Sequence, residues 1–343
     1  PMTAGQFAIY AKVILSGDQP ADANDQTKPL KVDVLPEGAH AVSIGSGYRT
    51  DYMPMNFRHV NTLCQTVYLA EELGFVTGTI NSMMVYNSFA YGLIKPTQIF
   101  MASTYQNLDA GMMSAYDMTL VYNGLIEYPE GENNIMINLQ TPYQHTGGNL
   151  VVMFFRPYDP DRYFGDLHFR GQIEGDNRSR IAIAYSDYID PYLTCNTRLT
   201  GRFPQASFFF TPDPYENELA ALRIAGGSDA TMGSVSNYTV HIKNYGSADQ
   251  SDYTVNLIGS GDVVLASVAG PEIASGQSLE VEIPWTPDTV GELSIFAKVE
   301  MNGDEFAGNN RTTNVEVMVY PVGSAGVFAE VNDNDDAVEV YWM

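Results

Sequence analysis

The stretch 291-GELSIFAKVEMNGDEFAGNNRTTNVEVMVYP-321 reads as two strands around a polar turn. SIFAKVEM and NVEVMVY are short runs rich in Val, Ile and Phe that alternate with period two, and Asn, Gly and Asp separate them. That is the pattern of an antiparallel hairpin with one buried face. The same sentence occurs a second time, at 5-GQFAIYAKVILSGDQPADANDQTKPLKVDVLP-36. With one gap, Gly5 falls on Gly291, Ile9 on Ile295 and Ala11-Lys12-Val13 on Ala297-Lys298-Val299. Gly17-Asp18 falls on Gly303-Asp304, Asn24 on Asn309, Thr27 on Thr312 and Pro36 on Pro321. A period of about 286 residues implies a window on a tandem array of domains.

Working outward, strand signals dominate. NIMINL, NLVVMFF, RIAIAY, NYTVHIKN, DYTVNLIG and SLEVEIPW are further short β-branched and aromatic runs, bounded by Gly, Asn, Asp and Pro. The only helical pattern is 66-TVYLAEELG-74, about two turns, in which Val67, Leu69 and Leu73 share a face and Gly74 stops the helix. The fold class is therefore all-β. Four segments follow: the repeated tail at 1–36, a β-rich block at 37–212 closed by 204-PQASFFFTPDP-214, a sandwich-sized block at 213–321, and a new start at 322–343.

Composition narrows the function. The chain has 343 residues, enough for two or three domains, and 45% of them are hydrophobic. A net charge of −24 excludes a nucleic-acid partner, which would need clustered Lys and Arg, and suits a secreted surface. No apolar run approaches the roughly 18 residues of a membrane span. The chain opens on Pro1 without a basic and apolar leader, which implies a processed precursor or an excerpt. Cys64 and Cys195 either form one disulfide or stay two buried thiols.

Two of these blocks resemble known families. The runs 237-NYTVHIKNYGSADQSDYTVNL-257 and 276-GQSLEVEIPWTPDTVGELSIFAKVEMNGDEFAGNN-310 resemble the bacterial cell-adhesion-related immunoglobulin-like domain, CARDB. Val240, Asn244 and Gly246 match its first strand motif, and Trp285 and Pro287 the second. Gly291, Ala297, Val299, Asn309 and Asn310 match the rest, with Leu293 at the usual aromatic position. The block 37–212 resembles the jelly-roll, cleaved-adhesin modules of gingipain- and haemagglutinin-like surface proteins of the type IX-secreted kind. The pieces 43-SIGSGYRTDYMPMNF-57, 117-DMTLVYNG-124 and 135-IMINLQTPYQHTGGNLVVMFF-155 carry that likeness. Residues 328-FAEVNDNDDAVEVYWM-343 resemble the opening strands of a fibronectin type III domain. Together they imply a jelly-roll β-sandwich followed by an immunoglobulin-like one, flanked by partial β-sandwich domains. Residues 1–36 are then the last strands of an upstream immunoglobulin-like domain. Ile9, Ala11 and Val13 need a partner from outside 37–343, either flanking chain or a neighbouring copy, and a neighbouring copy would extend the array as a filament.

No catalytic constellation is visible. His40, His59, His145, His168 and His241 stand singly, and none enters a nucleophile or zinc motif. Glu71-Glu72 reads as a solvated pair. The loop 156-RPYDPDRYFGD-166 is the best binding candidate: Asp159, Asp161 and Asp166 offer hard oxygens for Ca2+, and Tyr158, Arg162 and Tyr163 suit a sugar. The structural alternative is a Pro-rich loop whose aspartates cap turns. In 185-YSDYIDPY-192, Tyr188, Asp190 and Tyr192 form a second candidate, against core or edge packing of the tyrosines. The run 332-NDNDD-336 reads as a hairpin turn, and Asn237 and Asn310 head N-glycosylation sequons.

The expected function is a non-catalytic segment of a modular extracellular or cell-surface adhesin. Its partners would be neighbouring domains or copies, with glycans or host matrix proteins as ligands. The alternative is a carbohydrate-binding accessory region of a larger secreted peptidase or glycoside hydrolase.

Overall fold

The computed structural model describes residues 5–12, 26–28, 30–34, 39–47, 49–106, 108, 111–175, 178–184, 188–193, 195–323, 327–331 and 338–342. Val13 and the turn 332–336 lie outside the described residues. The chain divides into two compact units, Pro1–Asp213 and Pro214–Met343.

The first unit begins with a hairpin of β1 (Gly5–Ile9) and β2 (Leu30–Val34), which pair with each other and, among the described residues, with no other strand. There follow β3 (His40–Ile44), β4 (Arg49–Asp51), β5 (Asn61–Tyr68), β6 (Gly78–Phe89), β7 (Leu93–Thr104), β8 (Thr119–Tyr128) and β9 (Gly131–His145). Then come β10 (Asn149–Arg156), β11 (Leu167–Ile173), β12 (Ser179–Ala184), β13 (Arg198–Thr200), β14 (Arg202–Pro204) and β15 (Ala206–Pro212). They form a six-stranded sheet in the order β13-β12-β5-β10-β7-β8 and a seven-stranded sheet in the order β14-β11-β6-β15-β3, with β4 on β11 and β9 on β6. Every pairing is antiparallel.

One face of each sheet meets in the core. Leu150, Val152 and Phe154 of β10 pack in one cluster with Met83 and Val85 of β6 and Ala206, Phe208 and Phe210 of β15. Phe208 is completely buried, and a fully buried aromatic contributes about 2–3 kcal/mol. Tyr68 points inward from β5 and donates its hydroxyl to the Pro204 carbonyl of β14 at 3.1 Å, tying the two sheets together.

The expected helix at 66–74 shrinks to the single turn α1 (Ala70–Leu73). Thr66, Val67 and Tyr68 belong to β5, where they pair with Val152, Val151 and Leu150. β-Branched and aromatic side chains in a central strand outweigh a weak helical period. Gly74 does end the turn, at φ 74°, which a residue with a Cβ adopts only with strain. Glu72 is not a merely solvated acid: it accepts the Leu69 amide and both branches of its carboxylate take Arg178 Nη2, at 2.7 and 3.0 Å.

The outer face of the six-stranded sheet is also apolar. Leu63, Phe100, Met153 and Phe155 are roofed by Ala115 and Ile189, with Met112, Met118 and Cys195 packed alongside. This placement overturns the possible disulfide. Side chains alternate across a strand, so Leu63 faces the outer cluster beside Cys195 while Cys64 faces the opposite way. Both thiols are free, and burial pushes that of Cys64 up to about 12.

The second unit contains β16 (Leu219–Ala225), β17 (Asp229–Thr231), β18 (Ser236–Asn244), β19 (Tyr253–Gly259), β20 (Val263–Ala269), β21 (Ser278–Trp285), β22 (Gly291–Met301) and β23 (Val315–Tyr320). A three-stranded sheet, β16-β18-β21, faces a five-stranded one, β17-β23-β22-β19-β20, in which β17 joins β23 in parallel. Trp285, Tyr238, Ile295, Ala297 and Val299 share its core. The last strands, β24 (Val327–Val331) and β25 (Val338–Trp342), pair only with each other among the described residues.

The repeat is structural as well as textual. Gly5 pairs Val34 and Ile9 pairs Leu30 in β1–β2, while Gly291 pairs Val319 and Ile295 pairs Val315 in β22–β23. The bridge Lys12–Gln26 matches Lys298–Arg311. Thr27 and Thr312 each accept the amide of the alanine opposite, Ala11 or Ala297, on the hydroxyl at 3.0 Å. Burial is what differs. Ile295 is 0% exposed, whereas Ile9 is 54% exposed and Ala11 is exposed too.

Candidate functional site

The two loops singled out in the sequence follow β10 and β12, strands that flank β5. Arg156 pairs Thr62 and Ala184 pairs Asn61, so both loops leave the six-stranded sheet at the end where β5 begins. One side chain joins them. Asn61 is fully buried, donates Nδ2 to the Arg156 carbonyl at 3.2 Å, and accepts the Ile189 amide on Oδ1 at 2.9 Å. Nothing in the sequence singled out Asn61. Its only signal was an asparagine at the first position of a strand that is buried along its whole length.

Within the first loop the charges are internal. Arg156 is fully buried beneath the Phe57 ring, and its Nη2 donates to Asp159 Oδ2 at 2.6 Å. Lys95 Nζ, a residue the sequence reading missed, takes the same oxygen at 2.8 Å, and Asp159 Oδ1 accepts the Asp161 amide at 3.0 Å. Burial opposes ionisation of Asp159, but the hydrogen bonds from Lys95 and Arg156 prevail and hold its carboxyl below the usual range. Tyr163 lies half-buried against Lys95 and donates to Asp161 Oδ2 at 3.2 Å. Among the described residues, no three His, Cys, Asp or Glu side chains gather to hold a metal ion. The expected Ca2+ set of Asp159, Asp161 and Asp166 is therefore not assembled, because the cation beside Asp159 is the protein's own. This loop exposes Tyr158, Arg162 and Phe164 to solvent, together with Asp161 and Asp166.

In the second loop, Asp190 accepts the Tyr192 amide at 2.9 Å and shapes a turn. That turn leaves Tyr188 69% exposed, against the packed alternative. Tyr192 lies against exposed Tyr116, their ring centroids 4.8 Å apart, and Ser114 bonds the Tyr192 carbonyl at 3.0 Å. The segment 111–118 thus adds a third tyrosine to the surface. Beside this end, a cavity of about 160 Å³ is lined by Asp51, Tyr52, Asn56, Thr62, Arg198 and Arg202, among others. Arg202 pairs with Asp51 at 2.9 Å, and the buried Thr62 hydroxyl has no hydrogen-bond partner.

The comparisons bear on the second unit. Residues 219–318 match the CARDB family model. The CARDB domain of a Pyrococcus furiosus protein, solved in complex with di-metal ions, is 20% identical. The match covers 32% of this chain and 93% of that one, with a TM-score of 0.27. A Bacteroides uniformis β-glucuronidase is 10% identical, covering 98% of this chain and 34% of that one with a TM-score of 0.24. A Parabacteroides merdae β-glucuronidase is 10% identical, with coverages of 95% and 37% and a TM-score of 0.26. No curated protein sequence matches the chain. Among the described residues, no helix is long and apolar enough to cross a membrane.

Proposed function

We propose that the chain is a non-catalytic segment of a modular extracellular adhesin. In this reading the jelly-roll unit carries the ligand surface and the CARDB module acts as a spacer. The observation that carries it is the Asn61 junction, which brings two tyrosine-bearing loops to one end of the six-stranded sheet. Rigid elements that present loops are the usual way a β-sandwich builds a binding face. The ligand class is a glycan. Tyr158, Tyr188 and Tyr192 supply stacking faces, and exposed Arg198 suits a unit bearing a carboxylate. The repeated hairpin supports a tandem arrangement. β1–β2 has the register of β22–β23 but exposes Ile9, so its apolar face is completed by an immunoglobulin-like body of the 215–290 kind, from flanking chain or a neighbouring copy. The test is a glycan array probed with the whole chain, followed by Tyr188→Ala and Arg198→Ala. Binding by wild type that both variants lose is the expected result. Wild-type silence across neutral and acidic glycans would overturn the ligand assignment.

A further inference from the structure

The second unit contains a polar cluster that the adhesin reading does not use. Glu218 immediately precedes β16, and it is fully buried. Its Oε1 accepts Asn309 Nδ2 at 2.8 Å, while its Oε2 accepts nothing. Asn310 is 8% exposed and donates Nδ2 to Asp304 Oδ1 at 3.0 Å, again leaving its Oδ1 without a partner. Asn309 Oδ1 is a third buried oxygen with no donor. Asp304 is held in place by the Leu219 amide on Oδ2 at 3.0 Å and the Phe306 amide on Oδ1 at 3.3 Å.

The pattern of satisfaction is informative. Buried polar atoms in folded proteins are nearly always paired, and three orphans on interlinked residues call for a shared partner. All three orphans are acceptors. Among the described residues, neither Glu218 nor Asp304 has a salt bridge. Glu305 is spent elsewhere: its Oε2 accepts the Glu216 and Asn217 amides, both at 2.6 Å, and so pins the segment that delivers Glu218. Burial disfavours the ionised form of Glu218 and the negative charge of Asp304 adds to that cost, outweighing the hydrogen bonds from Asn309 and the Phe306 amide. A buried carboxylate beside a second one, with amide oxygens turned to neither, lacks a positive charge.

We infer that Glu218, Asp304, Asn309 and Asn310 form an oxygen-only site for a hard divalent cation, and that calcium is the ion it suits. Two carboxylates balance the charge of one Ca2+, and two amide oxygens add neutral ligands of the type calcium accepts in irregular geometry. Magnesium demands near-octahedral order and keeps its waters, which a buried set of this kind supplies poorly. The set contains only two carboxylates, so it is a different arrangement from a triad of acids. Part of the set has counterparts in the repeat, one residue further apart: Asp18 aligns with Asp304 and Asn24 with Asn309, while Asp25 replaces Asn310. The ion would tie the start of β16 to the turn after β22. It would also exclude glycosylation of Asn310, whose amide is already buried and bonded.

The experiment uses the whole chain, stripped with chelator and titrated with calcium chloride or magnesium chloride by calorimetry and thermal melting. The expected result is one calcium bound per chain, a melting temperature that rises with calcium concentration, and at least about 100-fold weaker binding of magnesium. Glu218→Gln keeps the shape and the bond to Asn309 but removes the charge. It should abolish calcium binding while melting no lower than the stripped wild type, which separates lost binding from misfolding. Asp161→Ala with Asp166→Ala should bind calcium as wild type does. Absence of calcium binding at millimolar concentration, or binding that survives Glu218→Gln, overturns the site and marks Glu218 as a buried neutral acid.

Discussion

Replacing Asn61 by alanine is the sharpest test of how the two loops are held. The substitution removes no exposed surface and no charge, but it orphans the Arg156 carbonyl and the Ile189 amide in the interior. Each buried group left unpaired costs about 1–3 kcal/mol, so the first unit should lose about 2–6 kcal/mol. With a urea dependence of about 2–3 kcal/mol per molar, its midpoint should fall by about 1–2 M. The assay has a built-in reference, because both tryptophans, Trp285 and Trp342, lie in the second unit. Tryptophan fluorescence therefore follows the second unit, and far-UV circular dichroism follows both. The variant should move the dichroism transition and leave the fluorescence transition in place. Hydrogen exchange should rise in 157–166 and 188–193 together, since one side chain anchors both. A midpoint shift below about 0.3 M, or faster exchange in only one loop, would refute the junction.

Three further outcomes are expected. Asp159→Ala leaves the fully buried Arg156 without its carboxylate and should cost about 3–5 kcal/mol by thermal melting; adding Arg156→Met should recover most of it, and a loss below about 1 kcal/mol would show that the pair holds nothing. His145 is fully buried, which pushes its pKa down to about 4, so its contribution to stability is complete above about pH 6.5 and is lost as pH falls from there through about 4. The full effect is roughly 3 kcal/mol, and His145→Gln should flatten that part of the acid limb, whereas an unchanged slope would contradict the assignment. Cys64 and Cys195 should titrate as two thiols after denaturation without reductant, with Cys64 unreactive in the native chain; a single intramolecular crosslink by mass would refute the opposed faces.

Much of the architecture was legible in the sequence because strand formation is a local matter. Alternation with period two needs only near neighbours and marks NYTVHIKN and SLEVEIPW as the strands they become, while the unbroken apolar run NLVVMFF marks a strand buried on both faces. The repeat went further: matching 5–36 to 291–321 residue by residue anticipated a shared hairpin register. For Tyr188 the sequence left a binding role open against core or edge packing, and the structure leaves its ring exposed. Where local signals conflicted, they misled. The helical period at 66–74 lost three residues to β5, since pairing on both sides of a central strand outweighs propensity.

The sites themselves belong to tertiary structure. Asn61 reaches Arg156 across 95 residues and Ile189 across 128, separations over which no sequence pattern constrains distance. The aspartates of 159–166 looked like metal ligands until Lys95, from another strand, took the cation's place beside Asp159. Asn309–Asn310 stood in the sequence as part of a family motif, and Glu218 was not singled out. Only the packing of β16 against the turn after β22 buries their oxygens together. What the sequence determined alone is the set of strands and their repeat, because backbone pairing follows local alternation. What the tertiary structure decided is which side chains share a buried space, because that depends on which distant strands become neighbours.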